Sequence, residues 1–329
     1  MTEPELRGRF SVAMCTYNGA RFVREQLASI ATQTLPPAEI VVCDDASTDD
    51  TPAIVEQFAR ASRIEVRFHI NPTRLGSTRN FERAIGLCGG SFIALADQDD
   101  VWRTDKLAVI GSAFAAAPEV GMVFSDAEVT DADLRSKGYG VWQSVTFTRA
   151  LQARFRRGDG FAVLMRGNKV TGATMAFDAR FRELVLPIPD GAYHDEWIAL
   201  LICAVAKGVP LSERLVQYRQ HDRNQVGSSG HDVASMVRKA IRPGADVYAD
   251  AADVNDQFIR RLCAQRRFQV SPDLVAALTQ RGDFLRWRAT LPRGRLTRLA
   301  RASAAFASGR YRRFANGWRS FASDLVRPD

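Results

Sequence analysis

The sequence predicts an α/β protein: a mostly parallel central sheet flanked by helices, followed by a C-terminal helical region. Three observations lead there. Short apolar runs alternate with helix-like stretches through the first hundred residues. Polar clusters follow the ends of those runs. Beyond a Gly/Ser-rich segment at 227–230 the pattern becomes purely helical, broken at prolines.

Taken in order, Ser11–Cys15 is a short strand-like run, followed by a helical stretch from about Arg21 to Thr32 carrying Phe22, Leu27 and Ile30. Glu39–Cys43 reads as a second buried strand. Thr51-Pro52 then resembles an N-cap with proline at the first helical position, where its missing N–H costs nothing. Ile64–Ile70 alternates apolar and polar residues as a strand does. A helix from about Ser77 to Leu87 leads into the strand-like Phe92–Ala96. A βαβαβαβ order of this kind gives a largely parallel sheet covered by helices. Further strands are expected at Val120–Phe124, Thr171–Phe177 and Leu211–Tyr218, with a helix from Asp195 to Lys207. The expected domains are residues 1–230 and 231–329, the second broken at Pro243-Gly244, Ser271-Pro272 and Pro292-Arg293-Gly294.

Composition fits a folded chain: of 329 residues, 46% are hydrophobic and 25% charged. The longest fully apolar run, Ile198 to Ala206, is about half of what a bilayer requires. The polar start, Met1 to Arg9, does not read as a signal peptide. Five scattered cysteines suggest buried thiols in a reducing compartment rather than a disulfide framework or a zinc site. The net charge of +8 is unevenly spread. Residues 231–329 hold 19 Lys/Arg against 9 Asp and no Glu, so the whole excess lies there. Two modules with different partners explain this most simply.

Parallel sheets bind ligands beyond the carboxyl ends of their strands, where the loops converge. Thr16-Tyr17-Asn18 follow the first strand, Asp44-Asp45 the second, and Asp97-Gln98-Asp99-Asp100 the fourth. Three carboxylates within four residues repel one another unless something positive shares the site. Oxygen-rich clusters suit hard cations such as Mg²⁺ or Mn²⁺, which bridge to substrate phosphates. An acidic turn capping the helix near Thr104 is the plainer alternative.

Asp97-x-Asp99 resembles the DxD motif of GT-A-fold glycosyltransferases, and the first half is similar to glycosyltransferase family 2. The matching blocks are Cys15 to Gly19, Glu39 to Asp49, Leu75-Gly76 through Arg79-Asn80, Asp97 to Trp102 and Asp105-Lys106-Leu107. The resemblance covers about residues 9–227 and is closest to rhamnosyltransferase-like members. That branch is indicated by Thr171-Gly172-Ala173-Thr174-Met175, His194-Asp195 and Tyr218-Arg219-Gln220-His221.

The resemblance implies the GT-A (nucleotide-diphospho-sugar transferase) fold and inverting, metal-dependent transfer from a nucleotide-sugar donor, with dTDP-rhamnose as the suggested donor. The acceptor would be a hydroxyl of a glycan or lipid-linked oligosaccharide in cell-surface polysaccharide synthesis. It also implies that Thr16, Tyr17, Asn18 and Asp45 hold the donor nucleotide, with Asp45 accepting from the base. Asp97 would face the ribose or the metal's outer shell, Asp99 would bind the metal, and Asp195 would be the base, with Glu196 as runner-up. Arg79 is a candidate for donor phosphate, against a plain solvated arginine. His221 is a candidate for the metal or pyrophosphate, against a structural histidine. Asp100 divides between metal binding and helix capping, Asp195 between base and N-cap. Asn168 and Thr171-Gly172 could line the pocket, and Trp102 and Trp197 could stack on a sugar or fill the core.

Residues 286–327 contain eleven arginines and one acid, Asp324, with Phe314, Trp318, Phe321 and Leu325 at helical spacing. Such a segment packs on the enzyme, lies on an anionic membrane surface, or binds nucleic acid, the last disfavoured because no nucleic-acid motif accompanies it. The expected location is therefore cytoplasmic, or peripheral at the inner face of the cytoplasmic membrane. The main rival function is a catalytically silent nucleotide-sugar binder or membrane adaptor on the same scaffold. A dinucleotide-dependent oxidoreductase fails because Thr16-Tyr17-Asn18-Gly19-Ala20 replaces the glycine fingerprint.

Overall fold

A computed structural model describes residues 9–222 and 245–327. The expected boundary at 227–230 and the break at Pro243-Gly244 lie outside the described residues. The chain divides into two compact units. The first comprises Met1–Gly160, Lys169–Ile188 and Tyr193–Gln220; the second comprises Phe161–Asn168, Pro189–Ala192 and His221–Asp329.

In the first unit the opening elements are β1 (Phe10–Thr16), α1 (Val23–Ala31), β2 (Glu39–Asp44), α2 (Thr51–Ala61), β3 (Glu65–Ile70), α3 (Ser77–Leu87) and β4 (Phe92–Asp97). They follow the order read from the sequence. Then come β5 (Val101–Trp102), α4 (Lys106–Ala116), β6 (Val120–Thr130), β7 (Ser136–Gly140), β8 (Met175–Asp178), α5 (His194–Val205) and β9 (Lys207–Arg219). All strands join one sheet in the order β3-β2-β1-β4-β8-β6-β9-β5, with β7 on β6. β1, β2, β3 and β4 pair in parallel. β8 is reversed between β4 and β6, so the sheet is mixed at its centre although β6 and β9 run with β1. The apolar run at Thr171–Phe177 announced a strand but not its direction, because periodicity is blind to polarity.

The inner parallel strands are largely apolar because both faces are covered: β1 and β2 are buried at every position, with polar residues only near their ends, whereas edge strand β3 is only half-buried. Val12 and Met14 of β1, Ile40 and Val42 of β2, Val23 and Leu27 of α1 and Val55 of α2 meet in one core. At the start of α2 the residue doing the capping is Asp49, whose carboxylate accepts from the Thr51 amide and hydroxyl. Thr51 is the first helical residue rather than the cap. Cys15, Cys43 and Cys88 are buried thiols as expected, but Cys263 is exposed.

The second unit contributes α6 (Ala245–Ala264), α7 (Pro272–Ala289), α8 (Arg295–Ala307), α9 (Arg310–Phe314) and α10 (Trp318–Leu325). Pro272 opens α7 at its first position, and Pro292–Gly294 fall between α7 and α8, as proline geometry demands. Phe314, Trp318, Phe321 and Leu325 do not form one face of one helix. Gly317, at φ 58°, separates α9 from α10, and Trp318 is exposed while Phe314 is buried. Asp324 is fully buried and accepts from Arg288 (2.7 and 2.8 Å), Tyr311 (2.6 Å) and Tyr248 (3.2 Å). Removing one partner of such a pair strands the other charge in the interior. Asp324→Ala is therefore expected to cost about 3–5 kcal/mol of stability, measured by urea unfolding. Joint replacement of Asp324 and Arg288 by leucine and methionine is expected to restore most of it.

Candidate active site

The carboxyl ends of β1, β2 and β4 come level at one edge of the sheet: Thr16 pairs with Asp44, and Cys15 with Asp97. Two loops leave this edge and are joined to a third by side chains that imitate backbone. Gln98 accepts from the Tyr17 amide at 2.8 Å and donates to the Tyr17 carbonyl at 3.0 Å, so the acidic loop is zipped to the loop after β1. A Cβ on Gly19 would stand 2.0 Å from Gln98 Oε1, which is why position 19 carries none. The Asn18 amide donates to Ser47 Oγ and Asn18 Oδ1 accepts from the Thr48 amide, each at 2.8 Å.

Several expected donor contacts take on scaffold duties here. The Thr16 hydroxyl is buried and donates to Asp44 at 2.7 Å. Asn18 spends its carbonyl oxygen on Thr48, leaving only its NH₂ for a ligand. Asp45 is buried and receives Asn71 Nδ2 (2.9 Å) and the amides of Leu75 (2.6 Å) and Gly76 (2.9 Å). It thereby fixes the loop before α3. Tyr17 presents its ring beneath the Arg74 guanidinium, 4.1 Å from the ring centre. Arg79, the candidate for donor phosphate, stands on the first turn of α3 and donates to Glu82 (2.9 Å) and to the Ile188 carbonyl (2.7 Å).

The acidic loop is the electrostatic centre. Burial, together with the Asp99 and Asp195 carboxylates, pushes Asp97 up to about 7, against the opposing pull of Lys106. Asp100 is also raised, first by burial and then by Asp99 and Asp97. Burial raises the Tyr218 phenol, and Asp100, Asp97, Asp99 and Asp195 all add to it. Asp195, nearly a hundred residues along the chain, thus shares one neighbourhood with the acidic loop. Asp100 does not cap the helix after it. Its Oδ1 accepts from the Arg219 amide at 3.0 Å, while its buried Oδ2 has no hydrogen-bond partner.

Two basic residues without an assigned role in the motifs lie at this loop: Arg219 is bonded to it, and Lys106 faces Asp100 and Asp97, which raise it against the burial that pushes it well below its ordinary value. Arg219, almost wholly buried, donates from Nε to the Asp99 carbonyl at 2.6 Å, pairs with Glu25, reaches the Ala132 carbonyl and lies over the Phe22 ring. Lys106, fully buried, donates to the Ala173 carbonyl at 2.7 Å, with its ammonium 3.4 Å from the centre of the Trp102 ring. The visible signal was their place inside motif wording, Asp105-Lys106-Leu107 and Tyr218-Arg219-Gln220-His221; their side-chain hydrogen bonds span 67 to 194 residues.

Asp195 is the second residue of α5, whose N-cap is Tyr193, so it is not a plain cap. Its Oδ1 accepts from the Glu196 amide at 2.7 Å and its Oδ2 from the Gly172 amide at 3.3 Å. The helix start favours the anion. His194 stacks on Phe81 at 4.1 Å, and burial pushes it down to about 4, so it is neutral. A Cβ on Gly172 would lie 2.6 Å from its Nε2, which reserves that position for glycine. Trp102 and Trp197 are core residues, 2% and 1% exposed, and Trp197 donates to the Val185 carbonyl; neither is placed to stack on a sugar. His221 and Asn168 fall in the second unit, while the acidic loop belongs to the first.

Among the described residues no three His, Cys, Asp or Glu side chains form a ready-made metal cage. Mg²⁺-type sites commonly use one or two carboxylates plus substrate phosphate, so a cage is not required. The unpartnered Asp100 oxygen and the mutually repelling carboxylates fit a hard divalent cation.

Residues 11–169 match the family model described as glycosyl transferase family 2. A Mycobacterium bovis protein of uncharacterised function is 36% identical over 98 residues, 30% of this chain and 28% of that one. The dTDP-rhamnosyl transferase RfbG of Shigella flexneri is 38% identical over 99 residues, 29% of this chain and 34% of its own. The poly(ribitol-phosphate) beta-N-acetylglucosaminyltransferase TarS of Staphylococcus aureus is 37% identical over 102 residues, 30% of this chain and 18% of its own. The matches thus span about a third or less of these relatives. In fold, the chain is similar to S. aureus TarS residues 1–349 in complex with UDP-GlcNAc, with TM-score 0.60, 15% identity and coverage of 95% of this chain and 90% of that one. It is also similar to a Pyrobaculum calidifontis mannosyltransferase in complex with GDP-Man and Mn²⁺, with TM-score 0.55, 19% identity and coverage of 99% and 86%. The fold is GT-A.

Two outcomes follow from the electrostatics. Arg219→Leu is expected to weaken divalent-ion binding at least tenfold, measured by Mn²⁺ titration, because it frees the Asp99 carbonyl and leaves the loop unbraced. Arg219→Lys is expected to recover part of this. Asp97 holds its proton to about pH 7 in the folded chain but only to about 4 when unfolded. Its contribution to stability is therefore fully present below the unfolded value and is lost as pH rises through the folded one. In EDTA, Asp97→Asn is expected to be more stable than the parent at pH 8 and closer to it at pH 5, measured by thermal unfolding.

Proposed function

Starting from the glycosyl transferase family 2 domain formed by residues 11–169, we propose that this chain transfers a sugar, with inversion, from a nucleotide-sugar donor to an acceptor hydroxyl. One observation carries the reading: Asp195, on a distant helix, enters the same electrostatic neighbourhood as Asp97 and Asp99 at the carboxyl edge of the sheet. Inversion needs a base for the acceptor proton and, apart from it, a means of stabilising the leaving diphosphate.

In this reading Asp99, with Asp97 beside it, would hold Mg²⁺ or Mn²⁺. When bound, that ion would offset the charge developing on the diphosphate. Asp195 accepts the acceptor's proton, its carboxylate oriented by the Gly172 and Glu196 amides. Tyr17, the Asn18 NH₂ and Asp45 line the nucleotide end of the site, with Asp45 also fixing the Leu75-Gly76 loop. Arg219 keeps the acidic loop folded before the donor arrives, so little reorganisation remains for the reaction itself.

We place the acceptor among hydroxyls of a glycan or lipid-linked oligosaccharide, and rhamnose from dTDP-rhamnose as the first sugar to try. Support for rhamnose is the 38% match to RfbG. A match of 37% to an N-acetylglucosaminyltransferase over a segment of similar length makes N-acetylglucosamine the second sugar to try. A silent binder on the same scaffold would bind the donor and leave it intact.

Thermal shift against nucleotide diphosphates and their sugars, with and without Mn²⁺, identifies the donor. With that donor, Asp195→Asn is expected to lower kcat by about 10²–10⁴ while retaining metal-dependent donor binding. Asp99→Asn is expected to lose the metal-dependent binding itself. Turnover by Asp195→Asn at the parent rate would refute the base assignment, and binding without turnover by the parent against every acceptor class would favour the silent binder.

A further inference from the structure

The outer face of α8 in the second unit has a composition that solvent alone does not explain. Arg298, Ala302 and Ala305 point inward. On the opposite side, Leu296, Leu299, Ala300, Ser303, Ala304 and Ala307 recur at helical spacing, all are exposed, and none is charged. Leu296 is 84% exposed and Leu299 45%. Arg295 and Arg301 stand exposed at the two margins of this face. A solvated helix ordinarily puts its apolar residues inward and its charges outward; here Leu296 and Leu299 stand outward while Arg298 is buried.

The surrounding charge names the partner. α8 packs beside α10, with the Phe306 and Phe321 rings 4.9 Å apart and Arg298 Nη1 donating to the Arg327 carbonyl at 2.7 Å. Arg312 on α9 and Arg319 on α10 are exposed as well. The one acid of the segment 286–327, Asp324, is buried and bound to Arg288. Within this segment the exposed charges are therefore all positive, while the exposed Asp283 of α7 lies beside Ser308, Gly309 and Arg310 at the far end of α8.

We propose that the outer face of α8 is a membrane-docking surface that lies in the interface of an anionic lipid bilayer, with Leu296 and Leu299 entering the acyl boundary and the flanking arginines on the headgroups. Apolar burial and headgroup attraction are both needed for interfacial binding, and each is present on this helix. No helix among the described residues is long and apolar enough to cross a membrane, so this helix lies on the surface.

The test uses the full chain and vesicles of about one-third phosphatidylglycerol in phosphatidylcholine, against pure phosphatidylcholine. The chain is expected to sediment with the anionic vesicles and to be released by salt. Leu296→Gln with Leu299→Gln is expected to weaken binding at least tenfold, and Arg295→Gln and Arg301→Gln by about fivefold each. All four positions are exposed, so circular dichroism and thermal unfolding should match the parent. Equal binding to neutral vesicles, no binding to anionic ones, or unchanged binding by the leucine pair would each overturn the proposal. So would concentration-dependent self-association that the leucine pair abolishes, because a second copy would then be what covers the face. Donor and acceptor are absent from the assay, so its outcome is independent of the transfer reaction.

Discussion

Carboxylate repulsion at the end of β4 is the constraint on which the rest of the site depends. Asp97, Asp99 and Asp100 are set together by covalent sequence, and Asp195 is brought to them by the fold. Left alone, such a group would push the loop into solvent, where water could screen it. Arg219 and Lys106 prevent that from within. One ties the loop's backbone to the last residue of β9, and the other is a buried lysine on α4 that burial pushes well below its ordinary value while Asp100 and Asp97 pull it back up. Neither cation cancels the acidity completely, as the raised Asp97 and Asp100 show. The remainder is what a divalent ion and its diphosphate can use.

Much of this was legible in the sequence. Apolar runs with polar clusters at their ends located the first four strands and the sheet edge where chemistry gathers, since strand periodicity and loop convergence are local or nearly local rules. The same rules could not show that β8 runs backwards, because an alternating pattern reads identically in both directions. They also could not show that Asn18 and Asp45 brace neighbouring loops, since that depends on which amides lie across a gap of about thirty residues. Arg79 pairs with Glu82, one helical turn on, a contact that the i,i+3 spacing permits. Lys106 and Arg219 stood inside motif wording, but their burial and partners depend on contacts far along the chain.

The second unit was legible in charge but not in shape. The excess of arginine is plain from composition, and the prolines mark where its helices stop. Helical spacing pointed to Phe314, Trp318, Phe321 and Leu325 as one stripe, but Gly317 takes a positive φ between α9 and α10 and the stripe is cut. Nor is every arginine a surface charge. Arg288 answers Asp324, and Arg298 donates to three carbonyls, those of Pro292, Arg293 and Arg327, so part of the basic composition is interior scaffolding.

The clasp between Gln98 and Tyr17 has a consequence for how this chain can change over generations. An amide side chain occupies the volume a Cβ at position 19 would need, and returns two hydrogen bonds to a loop that has lost its strand neighbour. Positions 19 and 98 are thereby locked into one inherited choice. A descendant that adds a methyl at the first must also shorten or reshape the second, and in the interval the two ends of the ligand cradle would drift apart.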